Sequence, residues 1–346
     1  MTNNRLKLTA GIMMSAATVL LAYPTSGVAQ EKTTTWRVQS HWPSASSSFK
    51  DSLGTLKTKL ADCTKGQFVL DLHEAGALFP AKETFPAVKR GIIQMGTISP
   101  GYLPETITTA GIASGLPFAF RNVWETAFFH SQLGFEKMIR DEVAVHGVFY
   151  STDKVYPTEM VSKTPVTSLD DFRKLKVRSS GVLQRFLTDA GASASFLPGP
   201  EIYPALSTGV INSVHWGAVQ GANSMGFYEV AKYHIKPALN IAGTDAFVVN
   251  QKAIDALPEQ SRKCFYDLLK DQFWLRTNEY QFQEQVTLAK AIKEKGVKVN
   301  QLPDDVLAHA SKVAMKHWDE EAKKGPVAQK AVDTLKGFLR ELGYIE

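Results

Sequence analysis

The chain has 346 residues, in which 39 Lys and Arg face 34 Asp and Glu, for a formal net charge of +5. Its charges are scattered along amphipathic stretches, which excludes the clustered basic face of a nucleic-acid binder. The length suits two lobes of ordinary domain size, and two cysteines offer no disulfide framework.

Arg5 and Lys7 precede an apolar run over residues 8–22, and Gly27, Val28 and Ala29 supply small residues for cleavage. This three-part pattern predicts a secretory signal over residues 1–29. The apolar run is shorter than the roughly 20 residues a spanning helix needs. Its removal takes away Arg5 and Lys7 and leaves a formal charge of +3. The mature chain is expected in the periplasm. Export permits a disulfide between Cys63 and Cys264. The expectation is instead two small buried hydrophobes, since Cys264 falls in a helical pattern with Leu268 and Leu269.

Residues 36–42 alternate like a strand, and 46–62 read as an amphipathic helix. A strand over 68–73, a helix over 80–90 and a strand over 94–99 complete a β-α-β-α-β run, which predicts a parallel sheet with right-handed crossovers. Residues 113–120 form an apolar loop punctuated by Gly115 and Pro117. Helices over 123–130 and 134–142 lead to a strand over 145–150. A second series follows, with strands over 155–162, 176–178, 194–197 and 213–216 and helices over 182–190 and 200–208. The fold class is therefore α/β, two parallel-sheet lobes joined by crossing strands near 150–156 and 243–250. Residues 257–294 read as a helix longer than most, placed to brace both lobes, and helices over 303–323 and 327–342 end the chain.

Familiar catalytic patterns are missing. The eight histidines form no H-E-x-x-H pair, and there is no G-x-S-x-G elbow, P-loop or G-x-G-x-x-G. No nucleophile and base can be assembled, so the expectation is not an enzyme, with no catalytic residue and no metal ligand. Asp170 and Asp171 are read as partners of a helix N-terminus. The informative segment is 164–181, a short helix feeding a very short strand that ends at Arg178. In open α/β sheets, ligands bind outside the carboxyl ends of strands, and a guanidinium there fits a carboxylate as a planar fork. A surface ion pair is the competing reading of Arg178. Other candidates at strand ends and loops are Trp42, Ser99, Tyr102, Phe118 and Trp216, each of which has an alternative place in the core.

Several motifs recur in order. They are Gly66 to Leu70 with Ala75 to Leu78, Glu83 to Gly91 leading into Gln94 to Gly96, and Gly115 to Phe118. Lys163 to Arg178 and Glu201 to Gly209 complete the set. With them the mature chain resembles, nearly end to end, the DctP-type substrate-binding proteins of tripartite ATP-independent periplasmic (TRAP) transporters. The resemblance implies a periplasmic-binding-protein architecture, a Venus flytrap with a long lobe-spanning helix. Its approximate lobes are residues 30–153 with 245–285, and 154–244 with 286–346.

It also implies a small-molecule carboxylate held by Arg178, with Ser179 adding a donor, and delivery to the transporter's membrane subunits. A monomer is expected. Family members often have an asparagine where Trp216 stands and a glutamate where His215 stands. Sialate-type members place a second arginine where Thr158 stands. The expected ligand is thus a monocarboxylate with an apolar or aromatic body, walled by Trp42, Tyr102, Phe118 and Trp216. The alternative is a small 2-oxo or 2-hydroxy acid. No cofactor is expected. A bound cation, known in the 2-oxo-acid branch, finds no set of carboxylates here beyond Glu159. An enzyme or a ligand sensor on the same scaffold are the alternative classes.

Overall fold

Nine strands form one continuous sheet in the computed structural model, which describes Met1 and residues 33–346. The predicted secretory signal lies, apart from Met1, outside the described residues. Residues 33–346 form a single compact unit.

Strands β1 (Thr34–Gln39), β2 (Phe68–His73) and β3 (Met95–Ile98) pair in parallel, in the order β2-β1-β3. Strands β5 (Lys176–Arg178), β6 (Ser193–Ser195) and β7 (Ser213–Gly217) form a second parallel group, ordered β7-β5-β6. Between them run two long antiparallel strands, β4 (Val148–Ser162) and β8 (Tyr233–Asn250), with β9 (Lys298–Gln301) beside β8. The architecture is the two-lobed α/β one that the sequence predicts, with β4 and β8 crossing between the halves.

Two details depart from the sequence reading. The strands expected over 145–150 and 155–162 are one strand, β4, bulged between Thr152 and Lys154 and between Tyr156 and Thr158. Ser151, Thr152, Asp153 and Lys154 are all buried; Asp153 finds Ser52 and Gln272, and Lys154 finds Asp245. Strand β8 also begins well before the expected residue 243, because pairing with β4 overrides the Pro237 and Gly243 interruptions.

The long helix, Glu259–Lys295, spans 37 residues, about 55 Å at 1.5 Å per residue. Its first half packs Cys264, Phe265 and Leu269 with Trp36, Leu56 and Phe68. Its last turns pack Leu288 and Ala291 with Ile202, Leu206 and Phe227. One helix thereby braces both parallel groups. The C-terminal helices Asp304–Ala322 and Pro326–Glu341 join the largest core, where Trp318 and Leu335 meet residues from both halves.

The cysteines correct a third expectation: they are bonded, with Cα atoms 6.4 Å apart. Only Cys264 is buried; Cys63 is exposed at the end of the helix Thr55–Cys63. Their separation of 201 residues hid a contact that the first half of the long helix creates. Constraining so long a loop stabilises by about 2–4 kcal/mol. Cys63→Ser should lower the melting temperature by a few degrees without moving ligand affinity, since neither cysteine lines the cavity described next. Unchanged thermal unfolding would remove this role.

Candidate functional site

The carboxyl ends of four strands open onto one cavity of about 70 Å³. Residues just past β1 give His41 and Trp42, and those past β3 give Ser99 and Tyr102. Strand β5 ends on Arg178, and β7 ends on Trp216 and Gly217. The crossing strands add Tyr156 and Thr158 from β4 and Gly243 to Asp245 from β8, and the long helix adds Tyr280. The convergence follows from topology, since parallel strands joined by helices leave a crevice at their carboxyl edge.

Arg178 is the decisive side chain. Val177 anchors the three-residue strand in the core, and Arg178 follows it with 3% of its surface exposed. Nε donates to the Leu197 carbonyl at 2.9 Å, Nη1 to the His215 carbonyl at 3.1 Å, and Nη2 to the Tyr102 hydroxyl at 3.4 Å. The guanidinium carbon lies 4.8 Å from the Trp216 ring centroid, a cation–π contact. Burial pulls its pKa down, and the groups that oppose the shift are the Tyr102 and Tyr156 phenols. Among the described residues, no carboxylate forms an ion pair with Arg178, which leaves a buried cation with neutral partners. Such an arrangement is costly unless something anionic completes it.

Trp216 lies on a bed built for a flat ring. A Cβ at Gly221 would come within 3.0 Å of its Cδ1, and one at Gly199 within 3.3 Å of its Cη2.

Behind Arg178 a chain of neutral groups sets orientation. Asn240 Nδ2 donates to Thr158 Oγ1 at 3.2 Å, Thr158 Oγ1 lies 2.8 Å from His215 Nε2, and His215 Nδ1 lies 3.1 Å from Ser179 Oγ. Thr158 and Ser179 thereby hold both ring nitrogens of His215 and fix its orientation. Burial, with Arg178 beside it, pushes the His215 pKa down to about 3. Burial alone does the same to His130, to about 3, where it packs against the Phe129 and Phe135 rings.

The sign of the pH effect follows. Between about pH 6.5 and 3, unfolded chains bind protons that these two folded histidines refuse, so stability falls as pH falls. At about pH 5 each costs roughly 2 kcal/mol. Glu284, whose carboxyl burial raises to about 8, works in the opposite direction over this range. Against that background, urea titrations should show His130→Phe losing about 2 kcal/mol less stability than the wild type between pH 7.5 and pH 5. An unchanged pH dependence in His130→Phe would contradict this.

The cavity wall also holds a charged group that sequence reasoning missed. Asp245, 2% exposed, receives Lys154 Nζ on Oδ2 at 2.7 Å and lies 3.1 Å from His41 Nε2 through Oδ1. Burial pushes its carboxyl up, but Lys154 and His41 outweigh burial and hold it well below the usual carboxylate range. Lys154 also reaches Asp153 Oδ2 at 3.0 Å and sits 4.6 Å from the Trp42 ring centroid. Register pairs Lys154 with Asp245 across β4 and β8. A lone carboxylate within the apolar end of β8 is a signal that a sequence reading can use. Tyr156 and Tyr280 carry no such mark.

Of the residues named from sequence, Arg178, Trp216, Trp42, Ser99, Tyr102 and Thr158 line the cavity. Two do not. Phe118 packs edge-on against Phe186 at 6.1 Å and takes φ 55°, which turns it into the core. Ser179 is fully buried behind the wall, where it holds His215.

Comparison with known proteins matches residues 39–324 to the family model of bacterial extracellular solute-binding proteins, family 7 (DctP). The chain belongs to this family. A family 7 relative from Nostoc, described as a monocarboxylate 2-oxoacid-binding periplasmic protein, is 22% identical over 316 residues, covering 89% of this chain and 84% of its own. Among solved structures, a TRAP transporter solute-binding protein from Bordetella bronchiseptica carries copurified calcium and picolinate. It is 23% identical and superposes with a TM-score of 0.81, over 90% of this chain and 93% of that one. Another, from Pseudoalteromonas atlantica with bound sodium and pyruvate, is 22% identical with a TM-score of 0.80, over 90% and 95%. Family 7 members are binding proteins of transport systems and not enzymes, and they are periplasmic. In this family 7 protein no helix of the described residues is long and apolar enough to cross a membrane.

Glu159, the carboxylate singled out from sequence, points its oxygens at His234 Nε2, 2.5 Å away, and at Lys236 Nζ. Among the described residues no group of three or more His, Cys, Asp or Glu gathers to hold a metal ion.

Proposed function

We propose that this protein is the periplasmic receptor of a TRAP transporter and binds a small 2-oxo or 2-hydroxy monocarboxylate, which it delivers to the membrane subunits. One observation carries the reading: among the described residues Arg178 is a buried guanidinium without a carboxylate partner, on the wall of a cavity of about 70 Å³.

The wall agrees with a polar ligand. Ser46, Ser48 and Ser99 and the phenols of Tyr102, Tyr156 and Tyr280 bring hydroxyls to the wall, which favours a ligand that hydrogen-bonds over an apolar body. The second of the two ligand expectations is thus favoured over an aromatic body. The Nostoc relative's description as a 2-oxoacid binder supports the same class.

The ligand carboxylate itself neutralises Arg178, so no cation is required. Arg178 holds the carboxylate with the part of its fork that faces the cavity, Thr158 and Tyr102 flank it, and Trp216 and Trp42 wall it. Binding closes the two lobes about β4 and β8, the exclusion of water strengthens the charged pair, and no chemistry follows.

The test is a thermal-shift and calorimetric screen of the mature protein against pyruvate, lactate, benzoate and succinate, with and without a chelator. Binding to a folded state raises stability by mass action. Pyruvate or lactate should raise the melting temperature, and chelator should leave that shift unchanged. A shift with benzoate or succinate alone would overturn the ligand class. Chelator-sensitive binding would overturn the cation-free reading.

A further inference from the structure

The cavity has two charged poles, and the Arg178 pole is satisfied by any carboxylate. The selective one is the other. Asp245 lies on the cavity wall with both oxygens held, one by Lys154 and one by His41. A carboxylate oxygen accepts about two hydrogen bonds, so each oxygen keeps acceptor capacity after those contacts. His41 cannot turn its donor elsewhere. Its Nδ1 is 2.9 Å from Thr97 Oγ1 and its backbone N–H donates to the same oxygen at 3.0 Å, which pins the ring.

Lys154 is likewise committed to Asp153 and Asp245 and is fully buried. Two of the three Lys154 N–H groups and the His41 donor are thereby held within the protein, and Lys154 does not line the cavity. Tyr156, beside Asp245 on the same wall, is kept a protonated phenol by burial and by that negative charge, so its proton is drawn to Asp245 and its oxygen presents lone pairs. On this part of the wall Asp245 and Tyr156 offer acceptors.

Resting on the receptor reading above, we infer that Asp245, with Tyr156, selects ligands that carry a hydrogen-bond donor on the carbon next to the carboxylate: 2-hydroxy acids over 2-oxo acids. A 2-hydroxyl donates into this pole, and a charge-assisted bond of that kind is the strong sort. A 2-oxo oxygen is an acceptor and meets the carboxylate and phenol oxygens lone pair to lone pair, as unfavourable as an unmade buried bond.

Isothermal titration calorimetry of the mature protein with L-lactate, D-lactate and pyruvate tests this. The expected result is that at least one lactate enantiomer binds ten- to a hundredfold tighter than pyruvate. Asp245→Asn, which replaces one acceptor oxygen by a donor amide, should bring the ratio to within about threefold. Asp245→Glu, which keeps the charge and moves it by one methylene, serves where the amide variant does not fold, and should also reduce the ratio. Pyruvate binding as tightly as lactate to the wild type overturns the inference while leaving the receptor reading intact. A ratio unchanged in a folded Asp245 variant overturns the assignment to this residue. Failure of both acids to bind removes the receptor reading, and the inference with it.

Discussion

Arg178→Ala should bind its carboxylate ligand about 30- to several-thousandfold more weakly than the wild type, the effect of leaving a buried charge unpaired at about 2–5 kcal/mol. The physical asymmetry behind this number gives it a second readout. With no ligand present, Arg178 is a desolvated cation held by two carbonyls and a phenol, and the fold bears the burial cost that lowers its pKa. Replacing it with the apolar Arg178→Met should leave the ligand-free protein as stable as the wild type or more so, as functional sites often trade stability for activity. The wild type should regain stability on adding ligand, and the variant should not. Arg178→Lys separates charge from shape. It keeps a cation but loses the planar fork, so affinity should drop by about tenfold and not vanish. Calorimetric affinity within threefold of wild type in Arg178→Ala would remove the carboxylate role, whatever the melting curves show.

Much of the scaffold was legible in the sequence because it rests on local physics. The strand-helix alternation of each parallel group, the long helix and the delivery of Arg178 by a three-residue strand follow from hydrophobic period, capping and chain order. What escaped was nonlocal. Ser151 to Lys154 fall between two expected strands, and nothing local shows that Asp153 finds Ser52 and Gln272 and Lys154 finds Asp245. Only those partners, far away in sequence, make a polar strand affordable in the core. The same holds for Cys63 and Cys264, which no spacing rule joins. In the site, Arg178, its neighbours Tyr102 and Trp216, and Trp42 on the same cavity wall were named from strand ends. The acceptor pole was not, because Tyr156, Asp245 and Tyr280 come from the middle of crossing strands and of a helix, where a side chain's face depends on bulges and packing. Phe118 shows the converse. Its Leu-Pro-Phe loop reads as a binding loop, yet a positive φ sends the ring into the core.

Lys154→Met should be among the most destabilising single changes in the protein. The lysine is fully buried, sits between Asp153 and Asp245, and faces the rings of Trp42, Tyr156 and Tyr280. Methionine fills similar space but strands two carboxylates that are 0% and 2% exposed. Breaking a buried pair in this way costs about 3–5 kcal/mol, or a fall of roughly 5–8 °C in melting temperature for a chain of this size. Asp153 retains Ser52 and Gln272 as partners, so the stranded charge is chiefly that of Asp245. The double variant Lys154→Met with Asp245→Asn removes both charges and should recover most of the loss, since neutral replacement of a buried pair is far less costly than breaking it. Residues in one network are expected to be non-additive in this direction. Recovery would assign the loss to unpaired charge. A double variant less stable than Lys154→Met would instead assign it to the cation–π packing and to the bulge that Lys154 closes on β4. Lactate affinity should fall in both variants, because each leaves the acceptor pole of the cavity without the lysine that fixes it.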